Sequence, residues 1–194
     1  NSIIQTLKDT NSKDESIIKL KLNYLKNNFI LKITTLFADL NNKYDVWTPD
    51  NNGFITYSDY RGKDIQKINA TSIYIKKHYI TYDLVSITSY CDADITYSYD
   101  SDWANNEFWS NPPYNFDNFY YGYYYPYNYT DITLRNKINK SQEFRIIDNR
   151  FKNTNIIIGL IHSVQHEKDS RNGWLFAGDA ANIKSEFKIN KTAF

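Results

Sequence analysis

The feature that most constrains this chain is a turn dipeptide followed by an aromatic-led apolar run, Arg171-Asn172-Gly173-Trp174-Leu175-Phe176-Ala177, which reads as the second half of a β-hairpin. Working outward, Ile132-Thr133-Leu134, 143–148, 155–165 and 173–177 read as short strands, and 180–187 as a last one. The same order of signals returns at 30–34, 43–47 and Asn52-Gly53-Phe54-Ile55-Thr56-Tyr57. Between these units lie Ile73-Tyr74-Ile75, 84–88, 95–99 and Asn106-Glu107-Phe108-Trp109. Three units of about 55 to 65 residues carry the signature of an array of similar modules.

From Asn41 onward, β-branched and aromatic residues alternate with polar ones between Asn, Asp, Gly and Pro clusters, as half-buried strands do, so the expected fold class is all-β. The expected architecture is a tandem of small barrels: a tail over 1–16, modules over 17–68 and 69–112, a Tyr-rich linker over 113–130 and a third module over 131–194. If the repeat reflects biased composition alone, a single larger β-sandwich is the alternative. Near the start, Ser12 and Glu15 have capping-box spacing, with Ile18, Leu22, Leu25 and Phe29 on one helical face. The competing reading takes Ile18, Leu20, Leu22 and Tyr24 as strict alternation in a half-buried strand; periodicity alone does not settle it, and the repeat is the reason for choosing the strand.

Lys+Arg 23 against Asp+Glu 22 leaves a net charge of +1, which disfavours nucleic acid and anionic membrane as partners. Cys91 stands alone, so no intrachain disulfide is expected. No run of about 18 apolar residues is present to span a membrane as a helix, and no membrane insertion is expected. The absence of Met, even at position 1, suggests a processed protein or a fragment, so a removed signal peptide stays open. With 18 Tyr, 11 Phe and 4 Trp but 6 Gly, turns must draw on Asn, which tolerates left-handed backbone.

Candidate chemistry is sparse. His162 and His166 have the four-residue spacing of helical metal ligands but lie in and beyond a β-branched run, and no third ligand is identifiable. Cys91 and His78 form no recognisable nucleophile setting. Asp92, Asp94, Asp100 and Asp102 lack the spacing and Gly of a calcium loop and read as a solvated acidic loop. No catalytic motif, metal site or cofactor is expected, and the chain reads as a non-enzyme.

The run Asp131-Ile132-Thr133-Leu134-Arg135-Asn136-Lys137-Ile138, then Phe144-Arg145-Ile146-Ile147, then Asn172-Gly173-Trp174-Leu175, resembles bacterial SH3-like domains of the Gly-Trp type. These occur in tandem on secreted amidases, adhesins and surface proteins of Gram-positive bacteria, notably lactobacilli. Gly173 and Trp174 match the Gly-Trp pair, Gly53 and Phe54 match it with Trp replaced, and the middle unit keeps only Phe108-Trp109. The resemblance implies a secreted, cell-surface protein attached to the wall through peptidoglycan or teichoic acid. A nearly neutral chain fits an uncharged glycan or peptide stem better than an anionic polymer.

The expected function is therefore a non-catalytic module binding peptidoglycan or a cell-surface glycan. A host surface ligand for an adhesin, or a purely structural spacer, is the alternative. Aromatic faces present rigid apolar area with a polar edge, and the residues expected to carry the ligand are Trp47, Tyr57, Tyr60, Trp103, Trp109, Tyr123, Tyr125 and Trp174. For Trp174, at the head of a strand, burial competes with that role.

Overall fold

The computed structural model describes residues 9–45, 47–51, 55–115, 119–120, 123–124, 128–150, 154, 156–173 and 182–194. Alternating β-branched, aromatic and polar residues form long strands: β1 (Glu15–Lys26), β2 (Phe29–Tyr44), β3 (Gly62–His78), β4 (Tyr82–Asp100), β7 (Thr130–Asp148), β8 (Ile156–Asn172) and β9 (Ile183–Ala193). Between β4 and β7 lie α1 (Asn106–Ser110), β5 (Phe119–Tyr120) and β6 (Tyr123–Tyr124). The long strands make one seven-stranded sheet in the order β1-β2-β3-β4-β7-β8-β9, every pair antiparallel. β5 and β6 pair as a separate ribbon.

The chain is all-β, as expected, but the expected tandem of small closed barrels is not shown. The sheet is open, with β1 and β9 at its edges. Position 68/69 falls inside β3, whose residues pair without a break to β2 on one side and to β4 on the other. Segments that read as pairs of short strands are single long ones: 30–34 joins residues up to Tyr44 in β2, 84–88 joins 95–99 in β4, and 132–134 joins 143–148 in β7. The physical reason is exposure. Both faces of most strands reach water, so Asn41, Asn136 and Lys137 remain solvated within a strand and do not interrupt it.

β1 bears out the alternation reading of Ile18 to Tyr24. A two-residue connection joins it to β2, with Asn27 at φ 50°, and Asn51 lies at φ 54°, so Asn does supply left-handed positions. The stretch Asn106-Glu107-Phe108-Trp109 differs from its reading as a strand. It opens α1, where the Asn105 side chain accepts a hydrogen bond from the Phe108 N–H at 2.9 Å.

Residues directly opposite one another share a face of the sheet. One row on the first face runs Tyr24, Leu31, Ile75, Ser86, Phe144, Leu160, and its neighbour on the second face runs Leu25, Ile30, Lys76, Val85, Arg145, Gly159. On the second face long charged stems flank the small apolar side chains, and Val85 between Lys76 and Arg145 is buried. Among the described residues the corresponding row of the first face has no charged stem.

Among the described residues the buried apolar side chains are Val85, Ala93, Ala104 and Phe108. Ala104 and Phe108 belong to the long β4–β7 connection, at the end of the sheet where β2 and β4 finish. Backbones crowd there: a Cβ on Gly62 would lie 2.0 Å from the Tyr44 carbonyl oxygen and 2.7 Å from that of Ser98. Gly62→Ala is therefore expected to lower stability by about 2–3 kcal/mol. A fall in the urea midpoint with an unchanged m-value checks it, and an unchanged midpoint would contradict the packing described.

Candidate functional site

Strand register builds the site at this crowded end. Tyr97 of β4 lies opposite Thr133 of β7, which lies opposite Arg171 of β8, and Tyr99 lies opposite Asp131. Tyr44, the last residue of β2, pairs with Gly62 and comes to the same face. The connections after β2 and β4 then carry Trp47 and Trp103 over these side chains. The two indoles meet edge to face with centroids 4.5 Å apart, and Tyr44 packs on Tyr97 at 5.0 Å. The result is a cleft of about 540 Å³ lined by Tyr44, Asp45, Trp47, Tyr97, Tyr99, Asp100, Trp103, Asp131, Thr133 and Arg171.

Trp103 sits at φ 60°, a left-handed conformation that a bulky residue adopts at a cost of about 1–3 kcal/mol. Such strain persists where the surrounding structure holds a residue in place, and it clusters at functional sites in proteins generally.

The cleft's charges are fixed. Asp131 is 2% exposed and accepts from Arg171 Nε at 3.2 Å on Oδ1 and 3.0 Å on Oδ2, while Arg171 Nη2 also donates to it. The Tyr99 hydroxyl donates to the same carboxylate at 3.4 Å. Burial, and then the Tyr44 hydroxyl beside it, pushes the Tyr97 phenol above its usual range. Asp100 accepts the Asp59 N–H at 3.2 Å and the Asp102 N–H at 3.3 Å. Asp102 in turn accepts the N–H groups of Ala104 and Tyr129, at 3.4 and 3.1 Å. Burial, and then the adjoining Asp100 carboxyl, pushes the Asp102 carboxyl up to about 8, against the pull of those two N–H groups. Burial also raises Asp45, opposed by a hydrogen bond with Thr56.

Of the side chains expected to bind, the structure brings Trp47 and Trp103 together. Tyr57 and Trp109 join a separate cluster around Phe108, with the Tyr57 ring tilted against it at 4.5 Å and its hydroxyl donating to Asp50 at 2.9 Å. Tyr114 completes that cluster. Tyr60 is half-buried in the connection before β3. Tyr123 belongs to β6, but its side chain lies outside the described residues, as do Tyr125 and Trp174. Gly173 is described, and its role is spatial: a Cβ there would come within 2.8 Å of the Asp131 Cα. Tyr44, Tyr97, Tyr99, Asp131 and Arg171 were not anticipated. The i, i+2 spacing of Tyr97 and Tyr99 on one strand face is a local signal for those two alone.

The four central carboxylates do not form a solvated loop. Asp92 and Asp94 lie within β4 and accept from Asn136 Nδ2 at 3.3 and 2.8 Å, whereas Asp100 and Asp102 are buried. Cys91 is flanked in the sheet by Ala70 and Asn139, and His78 pairs with Asp83 at the far end of β3. His162 bonds Thr192 at 2.9 Å and His166 bonds Glu186 at 2.7 Å. Among the described residues no three His, Cys, Asp or Glu side chains converge on a metal position. A second hollow of about 570 Å³, lined by residues including Leu134, Arg135 and Asp169, has no aromatic wall, and Arg135 is tied to Asp169 at 2.8 Å. The aromatic cleft is the better candidate for a binding site. The chain matches no protein-family model, no curated protein and no solved structure.

The Asp102 carboxyl makes stability depend on pH. Its proton is held more tightly in the fold than in the unfolded chain, where the carboxyl titrates near 3.8, so its contribution is fully present below that value and lost as pH rises to about 8. Asp102→Asn, which mimics the neutral form, should remove this loss. The expected result is a difference in urea midpoint between variant and wild type that grows from about pH 4 to about pH 8 and is flat above. Parallel pH profiles would show that Asp102 is ionised in the fold.

Proposed function

We propose that the chain is a non-catalytic binding module that holds a glycan of the bacterial wall or another cell surface in this cleft, as part of a secreted surface protein. The observation that carries the reading is the pair of indoles, Trp47 and Trp103, brought from separate connections over a floor of Tyr44, Tyr97 and Tyr99. Sugar rings present apolar C–H faces that lie against aromatic rings, and hydroxyls that need fixed donors and acceptors. Arg171, whose side chain is 49% exposed while Asp131 holds it in place, presents its remaining N–H donors at the cleft's wall. Among the described lining residues Asp45 and Asp100 face no cation besides Arg171, which is committed to Asp131, so an uncharged polyol suits the cleft better than a polyanion. The Gly-Trp resemblance over about 131–183 supports a wall polymer as the ligand class. It enters here as a guide to the ligand and not to a barrel architecture.

The test is co-sedimentation with Gram-positive sacculi before and after teichoic acids are stripped. Wild type should be retained on stripped walls, and Trp47→Ala or Trp103→Ala should each weaken retention on the order of tenfold, the loss expected when a buried aromatic anchor is truncated. Far-UV circular dichroism should be unchanged. Equal retention of the variants would remove the cleft as the site, and no retention on any wall would overturn the attachment reading in favour of a host ligand.

A further inference from the structure

The first face of the sheet, opposite the cleft, is mainly apolar toward the end where β1 turns into β2, and no described residue covers it. Four successive rows there cross six strands, from the row of Lys26 and Phe29 to that of Leu20 and Thr35, and hold no Asp or Glu. Leu22, Phe144 and Ile158 within it are 55%, 54% and 68% exposed. On the second face, Lys76, Glu143 and Arg145 occupy the corresponding rows. With strands about 4.8 Å apart and rows about 7 Å apart, the four rows cover on the order of 700 Å², in which Leu, Ile, Val, Phe and Tyr hold fifteen of 24 positions while Thr88, Gln142 and His162 lie in the third row. Monomeric proteins rarely leave a patch larger than about 300–600 Å², whereas a stable interface takes about 800 Å² from each partner.

We propose that this face is the interface of a homodimer in which two copies pack sheet against sheet. A β-sheet with one apolar face is stable as part of a two-layer structure, and the described residues provide only one layer there. A twofold axis through the face sets apolar rows on apolar rows, with the margins of Lys26, Lys77 and Lys140 facing water. Two sheets so packed lie about 10 Å apart with strands within about 30° of each other. A lipid bilayer is the poorer occupant, since the open edges β1 and β9 would carry unpaired backbone N–H and C=O groups into hydrocarbon. In the dimer both aromatic clefts, on the opposite face, stay open and point away from each other. Bivalent binding then follows from the glycan reading, but the dimer itself does not depend on that reading.

Light scattering coupled to size exclusion tests it. Wild type is expected at twice the 23.0 kDa of one chain. Leu22→Lys with Phe144→Lys should raise the dimer dissociation constant at least about tenfold, as burying unpaired charge does, and elute as a monomer with unchanged circular dichroism. Leu22→Glu with Phe144→Glu should do the same, and mixing the two variants should restore the dimer. Ile17→Lys, on the opposite face of β1 and 61% exposed in the wild type, should leave the mass unchanged. A wild type of single-chain mass at every concentration would overturn the proposal without reference to any variant, and so would a folded lysine variant that stays dimeric. A monomer that floats with phosphatidylcholine vesicles would assign the face to lipid instead. Loss of glycan retention with the dimer intact would count against the cleft alone.

Discussion

The backbone ladder between β4 and β7 is the interaction on which the rest of the molecule depends. It runs unbroken from Tyr82 opposite Asp148 to Asp100 opposite Thr130, and at its last rungs it sets Tyr97 beside Thr133 and Tyr99 beside Asp131. The ladder from β7 to β8 then delivers Arg171 to the same face. A slip of one residue would turn every side chain of β4 to the other face. Tyr97 and Tyr99 would leave the indoles, and Asp131 would lose the Tyr99 hydroxyl. Gly62 and Gly173, which admit no Cβ where they lie, hold the backbones close on either side of this point.

The sheet solves solvation differently on its two faces. On one, Lys76, Arg145 and Glu143 lie in the same rows as Val85 and Ile87, so apolar surface is shielded by stems whose charged ends stay wet. On the other, Leu, Ile and Phe side chains stand open. At the edges, β1 carries Lys19 and Lys21 and β9 carries Lys184, Lys188 and Lys191, charges that discourage another strand from adding to the sheet. Growth in the plane is thus opposed, while stacking of faces is not.

Much of the strand content is legible in the sequence, and the lengths are not. Ile18, Leu20, Leu22 and Tyr24 alternate plainly because β1 has few turn residues to interrupt the pattern. Asn41, Asp92-Asp94 and Asn136-Lys137 read as breaks because such residues are expensive in a buried strand. In a sheet wetted on both sides they cost little, and the strands run through them. The apparent repeat has a related origin: a meander of long hairpins rewrites the same alternating text each time it turns, and that text resembles tandem modules. Trp47 and Trp103 stood out by residue type alone. The pairing of Asp131 with Arg171 joins positions 40 residues apart and exists only through register, so no local signal announces it. Asp100 and Asp102 read as solvated for a similar reason, since their burial comes from chain that folds back from 128–131 and from the stretch around Ser58 and Asp59.

The most direct measurement of the central claim, one continuous sheet whose register assembles the cleft, is residue-resolved amide hydrogen exchange. The account predicts that the inner amides of β3, β4 and β7 share one high protection level and open together with denaturant, while the outward amides of β1 and β9 exchange first. Protection divided into blocks at 17–68, 69–112 and 131–194, each opening independently with a break inside β3, would contradict it.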